Sequence, residues 1–145
     1  MQPWIKLFVE TAFGFISSFG FGLLTNIPRR ALIPAGLTGA ASWLAYCIFG
    51  LYSQHIVWQN LIATIVIGYL GNVFAQKYQT PVTMIYIPSL VSLVPGGMAA
   101  MGMKNLTLGS HQAGSEIISV LLIATALAVG FIVGEILFKL TFPKR

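Results

Sequence analysis

Residues 87–97 read Ile-Pro-Ser-Leu-Val-Ser-Leu-Val-Pro-Gly-Gly, with more apolar sequence on both sides. Pro88 lacks an N–H and frees the carbonyl of Met84, and Pro95 likewise frees that of Val91. Gly96 and Gly97 permit an unwound turn. Ser89 and Ser92 bring hydroxyls that can bond either a freed backbone group or a bound solute. The chemistry on offer is non-covalent: loose backbone groups and two hydroxyls around a small polar molecule. A proline kink that serves only packing is the competing account. Two prolines joined to a Gly-Gly pair favour a break that lines a cavity.

Three further sets of residues recur every four positions, which places each set on one helix face. The first is Glu10, Gly14, Ser18, Gly22 and Asn26, and the second is Asn60, Thr64, Gly68, Asn72 and Gln76. The third, Ala126, Gly130 and Gly134, is purely small. Small residues let helix backbones approach closely in lipid, and polar ones there also mark pathways. Packing explains the third set. For the first two, whose polar members include Ser18, Thr64 and Asn72, packing and a polar path both stay open. Glu10 is a candidate for proton coupling, because desolvation favours the neutral acid. Pairing with Lys6, one turn earlier, is the plainer alternative.

Enzymatic chemistry finds little to work with. Covalent catalysis needs a nucleophile and a base within hydrogen-bond reach. There is no Asp, and no catalytic residue is assigned. The two histidines, His55 and His111, fall in separate loops, so no metal is assigned. Cys47 is the single cysteine, which excludes a disulfide framework and a zinc motif. No phosphate-cradling Walker motif occurs, and no cofactor is expected.

The elements that must position these residues follow from composition. Of the 145 residues 57% are hydrophobic and 8% charged. Soluble domains carry about 25% charged residues, so a water-facing shell cannot be assembled and the solvent is the lipid bilayer. The net charge of +5 does not indicate nucleic acid, because the basic residues are few and flank apolar runs. A span needs about 20 apolar residues. Five stretches qualify, at about 4–25, 32–52, 56–76, 82–103 and 116–138, within one transmembrane domain over 1–145. The expectation is an all-α polytopic membrane protein of five transmembrane helices, the fourth broken at Pro88 and at Pro95-Gly96-Gly97. Thr80 and Pro81 suit the N-cap and first turn of that fourth helix. The first stretch lacks a cleavage pattern and is read as a retained span.

Charge sets the orientation. Arg29, Arg30, Lys77, Lys139, Lys144 and Arg145 follow spans one, three and five, whereas Lys6 and Lys104 lie at the opposite ends. The positive-inside rule then puts the N-terminus outside and the C-terminus in the cytoplasm. Glu135 precedes Lys139 in the favoured i,i+4 order, and Glu116 suits a helix N-terminus.

Three local patterns coincide: Asn26-Ile27-Pro28-Arg29-Arg30-Ala31-Leu32; Lys77 leading to Thr80-Pro81; and Ile87-Pro88 followed by Leu93-Val94-Pro95-Gly96-Gly97. In this order they resemble the C-terminal membrane half of the threonine/serine exporter family, over nearly the whole chain. The resemblance implies a small membrane subunit of the split, two-component type, working beside a larger membrane subunit of the same family. It implies secondary export of small carboxylate metabolites, threonine and serine or a succinate-like dicarboxylate, across the bacterial inner membrane. On that reading Pro88, Ser89, Ser92, Pro95, Gly96 and Gly97 face the substrate. Asn26, Arg29 and Arg30 form a cytoplasmic gate or a contact with the partner. The alternatives are a structural or assembly subunit without substrate contact and a self-assembled channel, since five spans can homo-oligomerise.

Overall fold

The computed structural model describes residues 3–142. Six α-helices and no strand occur among them: α1 (Pro3–Leu24), α2 (Arg29–Tyr52), α3 (Ile56–Tyr78), α4 (Thr83–Leu90), α5 (Gly96–Thr107) and α6 (Ala113–Thr141). Helices are the open-ended structure that lipid tolerates, because each satisfies its own backbone. Four of them, α1, α2, α3 and α6, are long and apolar enough to cross a membrane. The outward surface is correspondingly apolar, with Trp4, Phe8, Leu24, Leu51 and Leu140 all largely exposed. Lys144 and Arg145, counted among the cytoplasmic charges, lie outside the described residues.

The four long helices keep close to their expected bounds. Their ends carry identifiable stop signals. Asn26 adopts φ +52° and Gln79 φ +50°, a left-handed conformation that Asn tolerates better than most residues. Past α1, Asn26 N–H donates to the Leu23 carbonyl and Ile27 N–H to that of Gly22, each at 3.1 Å. This paired closure satisfies the last carbonyls of the helix, and Pro28 then prevents its continuation.

Between residues 79 and 112 the chain departs from expectation. The stretch 82–103 is two short helices, and neither crosses a membrane by itself. Pro88 does not break the helix: it lies inside α4, fully buried. The interruption comes at 91–95, where Pro95 takes φ −78° and ψ 51° and Gly96 N–H donates back to the Val94 carbonyl at 2.8 Å. That geometry is an inverse γ-turn. Gly96 and Gly97 are not unwound but form the first turn of α5. Proline suits the entry to a helix, where its missing N–H would be unpaired anyway. The start of α4 also differs, since Val82 rather than Thr80 precedes it, and the Thr80 hydroxyl is buried without a partner.

Glycine decides how the helices meet. On α6, a Cβ at Gly130 would stand 2.8 Å from the Leu61 carbonyl and Thr64 Cβ, and one at Gly134 would stand 2.5 Å from the Ile65 carbonyl and 2.8 Å from Gly68 Cα. These contacts advance together along both helices, so α3 and α6 run parallel. The α1–α2 pair is antiparallel, with Gly14 against Trp43 and Gly22 against Leu32. Two apolar clusters result. One, at the α1–α2 turn, gathers Ile27, Ala31, Leu32, Ala35, Ala75 and Ile85. The other centres on Ala63, Ile67 and Leu93, with Trp43, Tyr46 and Phe131 packed around it.

Candidate functional site

The interruption at 91–95 opens a cavity of about 130 Å³ between α2, α3, α5 and α6, whose lining includes Trp43, Tyr46, Asn60, Ser92, Pro95 and Met98. Trp43 and Tyr46 stack with ring centroids 5.1 Å apart and form an aromatic wall. Asn60 is 3% exposed. Its Nδ2 donates to the Ile56 carbonyl at 2.8 Å, and its Oδ1 has no hydrogen-bond partner. The Ser92 hydroxyl oxygen is also buried and unpartnered. A buried polar atom left unpaired costs about 1–3 kcal/mol. Two of them on the lining of one cavity mark it as unlike the ordinary core.

The start of α5 stands beside this cavity, with Pro95 and Met98 on its lining. No side chain caps it. Gly96 N–H bonds the Val94 carbonyl and Ala99 N–H that of Pro95, whereas Gly97 and Met98 N–H have no such backbone acceptor. Uncapped N–H groups at a helix start attract anionic groups such as a carboxylate.

Ser89, three residues before Ser92, is placed differently. Its side chain is fully buried, and its hydroxyl lies 3.0 Å from the Ala35 carbonyl and 2.7 Å from that of Ile85. It fastens α4 to α2 and is turned away from the cavity at the bend. Pro88 sits beside it in the same packed layer. Of the six residues expected to face a solute, Ser92 and Pro95 line the cavity, while Gly96 and Gly97 are exposed and not on its lining.

A second, larger cleft of about 630 Å³ lies between α1, α2 and the start of α3, lined by Lys6, Glu10, Tyr46, Cys47 and Gln59 among others. The Glu10 carboxylate accepts a hydrogen bond from the Cys47 thiol at 3.1 Å and has Lys6 Nζ at 3.7 Å. Tyr46 borders both spaces. The cleft is mostly apolar, and Glu10 is its one carboxylate.

The family model described as threonine/serine exporter, ThrE, matches residues 10–137. The chain belongs to the threonine/serine exporter family. It is a family of transporters. A Haemophilus influenzae protein described as uncharacterized is similar to it, 26% identical over 139 residues. The match covers 96% of this chain and 47% of that protein, so the chain spans about half the length of the curated relative. No solved structure matches.

The polar ladders of this chain resolve into individual contacts. Thr64 is fully buried, donates to the Asn60 backbone carbonyl at 2.6 Å and packs on Gly130. Asn72 donates to the Gly68 carbonyl at 2.7 Å and to the Tyr86 hydroxyl, tying α3 to α4. Ser18 presses against Gly39, where no Cβ would fit, and its hydroxyl is unpaired. Asn26, Arg29 and Arg30 are exposed at the α1–α2 turn, away from both cavities. Trp43 and Tyr46 were not singled out from sequence, and Cys47 was read only as a lone thiol. Aromatic and thiol side chains inside an apolar run carry no periodic signal that separates a cavity wall from packing.

Proposed function

We propose that this chain supplies half of the translocation path of a two-component secondary exporter, whose substrates are small carboxylate metabolites such as threonine, serine or a succinate-like dicarboxylate. The observation that carries the reading is the cavity at the α4–α5 bend. In a chain of an exporter family, two buried unpaired oxygens and an uncapped helix start border one small space. Discontinuous helices serve secondary transporters in this way: the start of a half-helix faces an anionic group. Ser92, Pro95, Gly96 and Gly97 contribute that break, and Pro88 and Ser89 brace it against α2.

Five crossings fit the path of the chain. Because α3 and α6 run parallel, residues 79–112 must return across the bundle between them, and α4, the bend and α5 make that return. The fourth crossing is then the broken one. The flanking charges support an N-terminus outside and a C-terminus in the cytoplasm, in the inner membrane of a bacterium. A second, larger membrane subunit of the family, inverted relative to this one, would complete the path. Glu10, with Lys6 and Cys47 beside it, is the carboxylate through which a proton could be coupled, and Arg29 and Arg30 anchor or gate the cytoplasmic end.

The test is efflux of serine, threonine and succinate from vesicles holding this chain, a larger family subunit, or both. Efflux of at least one solute should require both chains. Efflux from this chain alone would refute the two-component arrangement, and transport of none by the pair would refute carboxylate export.

A further inference from the structure

We infer that Asn60 is the specificity-determining residue of the cavity at the α4–α5 bend, and that it selects a ligand end bearing a hydrogen-bond donor, an ammonium or hydroxyl, over an ionised carboxylate. This rests on the reading of that cavity as the solute site.

The orientation of the Asn60 amide is dictated by its neighbour. The Ile56 carbonyl can only accept, so the amide nitrogen must face it at 2.8 Å. The side-chain oxygen is therefore held on the other side as an acceptor with nothing to accept. Asn60 is 3% exposed and lines the cavity, so bulk water does not satisfy that oxygen. Ser92, on the same lining, adds a second unpaired oxygen whose hydroxyl can turn to accept or donate.

An ammonium or hydroxyl entering beside these oxygens gives both a partner. A carboxylate brings only lone pairs and would oppose Asn60 Oδ1. No Lys, Arg or His lines the cavity to offset a second negative charge. The residues on the lining that can donate to an anion are neutral, Trp43 with its indole N–H and Tyr46 and Ser92 with their hydroxyls, beside the uncapped start of α5. The inventory thus matches a small zwitterion, with one carboxylate and one donor-bearing end, better than a dianion. A site built around a hydrogen-bonding group discriminates strongly, since the wrong ligand leaves that group unpaired.

The experiment is a thermal-unfolding titration of the full chain in nanodiscs with L-serine and with succinate, for the wild type and for Asn60→Leu and Ser92→Ala. Serine should raise the wild-type midpoint in a concentration-dependent way, and succinate should not. Asn60→Leu should weaken the serine effect by about tenfold, the size of one lost hydrogen bond. Ser92→Ala should weaken it less, which keeps the test valid if the Asn60 variant does not fold. Equal serine response in the wild type and the variants, no serine response in the wild type, or a succinate response exceeding that of serine would each overturn the inference. Succinate binding with succinate efflux would do so while leaving the export reading intact. Serine binding that depends on Asn60, without efflux in vesicles, would uphold the inference and remove the export reading.

Discussion

Along the α3–α6 seam, Gly130 and Gly134 bring two backbones into contact, and the Thr64 hydroxyl between them is bonded within its own helix. At the α4–α5 bend, one turn away on α3, Asn60 Oδ1 and Ser92 Oγ are equally shut off from solvent and bonded to nothing. Both regions use small and polar residues in an apolar setting. They differ in whether the polar groups are satisfied. In a medium without water, a satisfied hydroxyl is part of the packing, whereas an unsatisfied one keeps a standing preference for a ligand. Ser89 and Ser92 repeat the contrast within one short segment: the first joins two helices and the second joins none.

The largest expected effect breaks the seam. Gly130→Leu forces a side chain into the Leu61 carbonyl and Thr64. Overpacking of this kind should destabilise by about 3 kcal/mol, seen as loss of the monodisperse protein and a lower unfolding midpoint in detergent. Next in size is the serine pair. Ser89→Ala should lower stability by about 1–2 kcal/mol, because it removes the buried hydrogen bond that joins α4 to α2. Ser92→Ala should leave the midpoint unchanged or slightly raised while efflux falls. Should the two variants behave alike in both assays, the distinction between a bracing and a lining serine is gone. The smallest effect belongs to Lys139→Ala. Its 2.7 Å ion pair with Glu135 is well exposed, and such pairs contribute about 0.5 kcal/mol or less. A midpoint shift comparable to that of Ser89→Ala would mean that this end of α6 is buried against another chain.

Much of this architecture was legible in advance. Helix bounds followed from apolar length, and the ladder of α6 announced a close seam. The interruption near Pro95 was also legible, though its form was not. Pro88 was expected to break the helix and instead sits inside α4, because one missing N–H near a helix end is tolerated where the ring fills a packed layer. Thr80 had the right chemistry for a cap, yet the left-handed Gln79 carries the chain past it.

The apolar length of each run, the scarcity of charge and the position of the prolines are properties of the chain itself, and lipid converts them directly into helices and a break. That much the residues determined alone. Which serine lines the cavity and which braces, and that Asn60 shares that cavity with Ser92, Trp43 and Tyr46, depends on how α2, α3 and α5 converge. Hydrogen-bond satisfaction is a relation between residues distant in sequence, so only the tertiary structure could decide it.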